Sequence, residues 1–267
     1  LSGEINVPGD KSISHRALII GSMVTGKLKI KNLLESEDVI ATADALKTLG
    51  VKINKNKSIW EVSGNGVGNL YGSNFSLDLG NSGTGSRLLM GLIAGSEVEA
   101  TILGDDSLSK RPMNRIITPL LKTGAIFDDP NNDKLPIKIR GSRIPLPIEY
   151  LSPVASAQIR SSILLAGLSS TGNTTVIEPA LSRDHTERML NYLGADVSTT
   201  QLVNTSWKIT LKGLPSLKPL DIEIPSDPSS AAFPLVASII TPNSEIKILN
   251  VCVNDLRMGL YESLIDM

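Results

Sequence analysis

Cations gather beside small-residue turns in this chain. Lys11 and Ser12 follow Pro8-Gly9-Asp10, and Arg16 comes four residues after Ser12. Asn81, Gly83 and Thr84 lie in the turn Gly80-Asn81-Ser82-Gly83-Thr84, with Arg87 at nearly the same offset. Ser156, Ala157 and Gln158 follow Ser152-Pro153-Val154-Ala155, and Arg160 comes next. Lys110-Arg111 and Ser182-Arg183 open two further helical runs. Lys and Arg are unfavourable at a helix N-terminus, where free N–H groups already carry partial positive charge. A bound anion, held by amides and cations together, explains their recurrence there. At any one position a solvated surface charge remains the competing reading, but recurrence at equivalent places argues against it as a general explanation.

Other chemistries lack their residues. Two histidines, His15 and His185, and one cysteine, Cys252, form no cluster at metal-ligand spacing. No nucleophile-elbow pattern supports a Ser–His–Asp triad. Gly80-Asn81-Ser82-Gly83-Thr84-Gly85 lacks both the Gly-Lys-Ser/Thr of a P-loop and the glycine order of a dinucleotide fold. It remains a tight turn whose amides can cradle a phosphate or carboxylate. Asp10 and Asp227 read as turn or N-cap residues, so a reaction needing a general base has poor candidates.

The elements that carry these residues recur. Four times a strand-like run ends in such a turn, and the turn opens an apolar helix rich in small residues. Ser12, Ser82, Ser156 and Asp227 mark the copies, at spacings of 70, 74 and 71 residues. A strand follows each helix, at residues 28–32, 100–103, 174–177 and 245–249. Second helices are expected to begin at Ser36-Glu37-Asp38, at Arg111-Pro112-Met113 with Pro112 as first helical residue, at Ser182-Arg183-Asp184 and at Asp255-Leu256-Arg257. Three of them stop at Gly50, Gly124 and Gly194, each followed by an extended run. The polar stretches 128–134 and 198–205 read as hairpin turns. The fourth copy reaches no terminating glycine before Met267, and the chain opens at Leu1. The expectation is a C-terminally truncated piece of a longer protein.

Bulk properties exclude several classes. A formal charge of −1 gives no overall attraction to nucleic acid or membrane, and 3% aromatic residues leave few platforms for stacking bases. The longest apolar stretch, 231–240, contains Pro234 and is too short to cross a bilayer. A single cysteine permits no intrachain disulfide; it reads as a small core residue and suggests a cytoplasmic location.

Taken together, the motifs resemble the 5-enolpyruvylshikimate-3-phosphate synthase family. Pro8-Gly9-Asp10-Lys11-Ser12-Ile13-Ser14-His15-Arg16 is similar to its first signature and Gly80-Asn81-Ser82-Gly83-Thr84-Gly85-Ser86-Arg87 to its second. Leu108-Ser109-Lys110-Arg111-Pro112-Met113, Ser156-Ala157-Gln158-Ile159-Arg160-Ser161 and Ser182-Arg183-Asp184-His185-Thr186-Glu187 follow in family order. The Gly-Asp-Lys, Ser-Ala-Gln and Arg-Asp-His-Thr-Glu forms resemble the class II branch, known for glyphosate tolerance.

The resemblance implies an α/β fold of enolpyruvyl transferase-like, inside-out β/α repeats. Three complete units at residues 13–225 would form a substrate-binding domain, and residues 1–12 and 226–267 an incomplete part of a second. The implied reaction transfers the enolpyruvyl group of phosphoenolpyruvate to the 5-hydroxyl of shikimate 3-phosphate, releasing phosphate. It serves the shikimate pathway, chorismate and aromatic amino-acid biosynthesis, with no metal or organic cofactor, in a cytoplasmic enzyme that is a monomer when complete. Lys11 would touch both substrates and act electrostatically. Ser12, Arg16, Ser156, Ala157 and Gln158 would hold shikimate 3-phosphate, with Gln158 also near the enolpyruvyl group and catalytic. Gly83 and Arg111 would face phosphoenolpyruvate, with Asn81 shaping the turn, and Ser182 and Arg183 would complete the set.

The general base and later ligands would lie beyond Met267, leaving this piece inactive alone. Three positions depart from the pattern. Arg160 stands where class II often has Lys. Asn254-Asp255-Leu256-Arg257 matches an Asn-x-Thr-Arg signature only loosely, and Gly83 stands where a tolerant branch has Ala. Two alternatives are a UDP-N-acetylglucosamine enolpyruvyl transferase-like enzyme, which shares the fold but carries a reactive loop cysteine, and a non-catalytic anion-binding module.

Overall fold

In the computed structural model, which describes residues 1–267, one order of elements is used three times. The chain enters through β1 (Ser2–Ile5) and runs through α1 (Lys11–Gly21), β2 (Thr25–Lys31), α2 (Glu37–Thr48), β3 (Lys52–Asn56) and β4 (Ile59–Asn65). A second unit holds β5 (Tyr71–Asp78), α3 (Gly83–Ala94), β6 (Glu97–Leu103), α4 (Asn114–Lys122), β7 (Ile126–Phe127) and β8 (Ile137–Arg140). The third holds β9 (Glu149–Leu151), α5 (Ala157–Gly167), β10 (Asn173–Glu178), α6 (His185–Tyr192), β11 (Val197–Gln201) and β12 (Trp207–Lys212). Then come β13 (Ile222–Glu223), α7 (Pro228–Ile240), β14 (Glu245–Ile248) and α8 (Gly259–Asp266).

The three units make three separate four-stranded sheets with the same topology, in the orders β13-β2-β4-β3, β5-β6-β8-β7 and β9-β10-β12-β11. In each, the first pair is parallel and the other two are antiparallel. Parallel pairing needs a crossover, which α3 supplies between β5 and β6 and α5 between β9 and β10. The first sheet takes its parallel edge from the far end of the chain, where Ile222 lies opposite Ile30. The sequence reading did not foresee β13. The strand just before α1 pairs instead with β14, in a two-stranded sheet of its own.

Helices α1, α3 and α5 form the interior and the sheets wrap around them. Beyond Arg16, Arg87 and Arg160 each is apolar or small on every side, and nearly every residue after the first turn is buried. A helix without a polar face has no solvent side, so it belongs in the centre. The sheets alternate instead: Leu28 and Ile30 of β2 point inward, while Lys27, Lys29 and Lys31 are exposed. Small residues let the central helices approach closely. A Cβ on Gly91 would stand 2.6 Å from the Ser162 Cα on α5, with the Ser162 carbonyl oxygen nearer still. Gly91→Ala is therefore expected to force α3 and α5 apart and lower the urea-unfolding free energy by about 1–3 kcal/mol. An unchanged midpoint would mean that this contact yields without cost.

Several element boundaries differ from the sequence reading. Lys11, not Ser12, is the first residue of α1, and Asp10 is its N-cap. Pro112 is not a first helical residue: α4 starts at Asn114, after a short 3₁₀ turn at Leu108–Lys110. Pro112 disfavours helical geometry in the residue before it, and Arg111 is accordingly extended. Arg183 precedes the N-cap of α6 rather than opening the helix. Residues 198–201, read as part of a turn, belong to β11 and pair with β12. Residues 255–257 form a 3₁₀ turn, and α8 starts at Gly259. In the fourth copy, α7 holds the place of α1, α3 and α5. It buries only Pro228 and Ala231, and it leaves Phe233, Ile239 and Ile240 exposed.

Candidate functional site

Three helix starts converge. Each is capped by a side chain that takes one orphan amide: Asp10 Oδ1 accepts from Ile13 N (2.8 Å), Ser82 Oγ from Gly85 N (3.1 Å) and Ser156 Oγ from Ile159 N (3.4 Å). The remaining first-turn amides carry the positive end of each helix dipole. Gln158 Nε2 at the start of α5 donates to Thr84 Oγ1 at the start of α3 (3.2 Å). Arg16 Nη2 on α1 donates to Ser161 Oγ on α5 (2.8 Å). Between them lies a cleft of about 320 Å³. Ser12, Arg16, Ser156, Ala157, Gln158, Ser182 and Arg183 all line it, although they come from three distant stretches of sequence.

Arg16 dominates the electrostatics. It is 3% exposed, and all its hydrogen bonds go to neutral oxygens: Thr186 Oγ1 (2.7 Å), the Ser12 carbonyl (2.9 Å) and Ser161 Oγ (2.8 Å). Burial, only partly offset by Glu187, lowers its pKa to about 10, which leaves it charged at neutral pH. A buried cation held only by neutral groups is costly unless an anion joins it.

Arg160, near the start of α5, behaves differently. It is fully buried and ion-paired with both Glu178 and Glu187. Its Nη2 also donates to the carbonyls of Ser182 (3.0 Å) and Arg183 (2.7 Å). Its charge is already matched, so the recurrence argument for an anion ligand fails at this residue. Glu178 in turn accepts from Ser156 N (3.1 Å) and Ser182 Oγ (3.0 Å), tying two walls of the cleft together. Sequence reasoning missed Glu178. The available signal was a lone acidic residue closing an otherwise uncharged strand before Pro179.

Asn81, Gly83 and Arg111 form a second cluster beyond Thr84. Arg111 Nη2 donates to Asn81 Oδ1 and to Ser107 Oγ (3.2 Å), and Asn81 Nδ2 donates to Asp105 Oδ2 (2.7 Å). Asp105 was also missed. It accepts from Leu108 N, and that bond, with the one from Asn81, lowers its pKa. A Cβ on Gly83 would stand 2.8 Å from Arg87 Nη1 and 3.1 Å from Arg111 Nη1, so two guanidinium groups overhang this glycine. Arg87 donates to the Gly83 carbonyl (2.9 Å). Burial, then Arg111 and Arg115, lower its pKa.

Lys11 is the predicted residue that stands apart. It is half exposed and ion-paired with Asp38 on α2. Asp10 and Asp227 are N-caps, as read, and Arg257 bridges them. Cys252 is buried and lies past β14, and burial raises its thiol pKa.

A family model described as EPSP synthase (3-phosphoshikimate 1-carboxyvinyltransferase) matches residues 1–267. A 3-phosphoshikimate 1-carboxyvinyltransferase of Parvibaculum lavamentivorans is 51% identical over 268 residues, covering 100% of this chain and 59% of the relative. One from Afipia carboxidovorans is also 51% identical, with 60% of the relative covered. A solved EPSP synthase from Acinetobacter baumannii superposes with a TM-score of 0.91 at 41% identity, covering 100% of this chain and 59% of the other. The chain thus spans about three fifths of the length of these relatives.

Proposed function

This chain belongs to the EPSP synthase family, and from that membership we propose that its cleft binds shikimate 3-phosphate as part of a 3-phosphoshikimate 1-carboxyvinyltransferase. The carrying observation is Arg16, a buried guanidinium bonded only to neutral oxygens where the starts of α1, α3 and α5 meet. A substrate phosphate supplies the missing counter-charge. Ser12, Ser156, the Ala157 amide, Gln158, Ser182 and Arg183 hold the rest of shikimate 3-phosphate. Lys11, Arg111 and the turn Asn81-Ser82-Gly83 face phosphoenolpyruvate, and Lys11 stabilises charge developing on it. In the reaction the 5-hydroxyl oxygen loses its proton and bonds to C2 of the enol while C3 takes a proton; phosphate then leaves the tetrahedral adduct with the C2–O bond electrons as C3 gives up a proton and the C2=C3 double bond re-forms. No carboxylate lines the cleft to accept the hydroxyl proton. The chain alone is therefore expected to bind shikimate 3-phosphate without releasing phosphate.

In this reading residues 13–225 form the substrate-binding domain, with the two end segments belonging to a second domain. A cytoplasmic, monomeric enzyme is part of the same proposal. No helix is long and apolar enough to cross a membrane. The UDP-N-acetylglucosamine enolpyruvyl transferase reading is not favoured. Such an enzyme needs a reactive thiol, whereas burial raises the pKa of Cys252.

Titration calorimetry with shikimate 3-phosphate tests the reading. Arg16→Met is expected to lose about 100-fold in affinity, because charge-assisted hydrogen bonds contribute about 1.5–3 kcal/mol each. The same change should leave folding stability equal or higher, since it removes an unpaired buried charge. No binding by the wild-type chain, or equal binding by Arg16→Met, defeats the proposal. In the full-length synthase, the class II motifs favour glyphosate tolerance while the lack of a methyl group at Gly83 favours sensitivity. Gly83→Ala is expected to push aside Arg87 and Arg111 and to raise the glyphosate inhibition constant severalfold or more. An unchanged constant would remove Gly83 from that pocket.

A further inference from the structure

His185, the first residue of α6, lines the anion cleft, and it also lines an apolar cavity of about 590 Å³. It is 5% exposed. Asn254 reaches it from the turn after β14, and two bonds fix which way its amide faces. Asn254 Oδ1 accepts from Leu256 N (2.9 Å), and Asn254 Nδ2 donates to Asp184 Oδ1 (2.6 Å). That same Nδ2 lies 3.4 Å from His185 Nδ1. An amide nitrogen can only donate, so Nδ1 must accept, and the proton of the neutral ring sits on Nε2. His185 Nε2 is buried and has no partner in the protein. An unpaired buried N–H is costly, so one on the wall of a binding cleft points to an acceptor that arrives with the ligand.

We propose that Asn254 fixes His185 as its Nε2–H tautomer, and that this neutral N–H donates a hydrogen bond to an oxygen of the anion bound in the cleft. The inference rests on the reading of that cleft as a shikimate 3-phosphate site. His185 is then a binding residue and Asn254 a positioning residue acting through it. The charged groups facing the ring are Arg16 and Asp10 from the start of α1, Arg257 from the 3₁₀ turn, and Asp184 from its own N-cap. Burial acts most strongly, and with the two arginines it outweighs the two carboxylates, bringing the pKa to about 4. The donor is therefore present and uncharged throughout the physiological range. His15 also has a buried, unpartnered Nε2, but it is not part of the cleft wall. Its Nδ1 pairs with Thr42 Oγ1 (2.9 Å) between α1 and α2.

The chain has two histidines, so ¹⁵N spectra of wild type and His15→Gln assign both rings. The expected wild-type signal is a neutral Nε2–H imidazole from pH 5.5 to 8, whose Nε2 resonance moves when shikimate 3-phosphate is added. Asn254→Ala should let an Nδ1–H population appear. His185→Phe should bind shikimate 3-phosphate about 10- to 100-fold more weakly, as loss of one hydrogen bond to a charged group implies. An Nδ1–H or imidazolium signal in the wild type overturns the proposal, as does binding by His185→Phe within twofold of wild type. If the wild type binds but the Nε2 resonance stays put, only this inference fails. If the wild type does not bind at all, the reading of the cleft fails and the donation with it.

Discussion

Lowering the pH from 7 to 5 is expected to remove about 3–4 kcal/mol of folding stability, with the unfolded chain taking up about 1.4 more protons than the folded one. The cause is the two buried imidazoles. Burial, reinforced by Arg16, lowers the pKa of His15 from 6.5 to about 3 and that of His185 from 6.5 to about 4. A depressed folded value means that the native state favours the neutral ring. The contribution is therefore fully present above pH 6.5, and it is lost as the pH falls towards the folded values. Each ring contributes about 1.4 kcal/mol per pH unit within that window. Urea unfolding at pH 7, 6 and 5 measures the slope, and His15→Gln should halve it. A flat profile across this range would mean that the rings are not held neutral.

Arg160→Met is expected to cost about 3–5 kcal/mol, the usual penalty for removing one member of a buried ion cluster. Arg160 and Glu178 are fully buried and Glu187 nearly so. Burial raises the pKa of Glu187 even with Arg160 beside it. Without this guanidinium, two carboxylates would share an interior with no ion-pair partner, Arg16 being bonded only to neutral oxygens. Ser182 and Arg183 would also lose the hydrogen bonds that hold their loop against the cleft. Adding Glu178→Gln and Glu187→Gln should recover part of the loss. Arg16→Met, on α1, should show the opposite pattern, with stability kept and binding lost. Denaturant midpoints of the two variants make the comparison. A midpoint for Arg160→Met within about 1 kcal/mol of wild type would show that the cluster is not what holds this part of the core.

The repeat, the order of elements and the helix starts could be read from sequence because they depend on neighbours in the chain. Asp10, Ser82 and Ser156 cap the helices that begin beside them, and Gly50, Gly124 and Gly194 follow the helices that stop before them with positive φ. The runs beyond Arg16, Arg87 and Arg160 have no polar side, which suits the interior where α1, α3 and α5 lie. The motif order likewise carried the family.

Partners across long separations could not be read in this way. The sequence could not tell Arg16 from Arg160. Each lies four residues after a serine in a small-residue turn, yet one contacts Thr186 across 170 residues and the other meets two carboxylates on a neighbouring strand and helix. Strand β13, two residues long, has almost no local signature, and it exists because β2 offers it an open edge. The tautomer of His185 depends on an amide 69 residues away. Local propensity and capping act over a few residues. Charge matching, edge pairing and the placement of a proton depend on which groups packing brings within about 3–4 Å, and only the folded chain decides that.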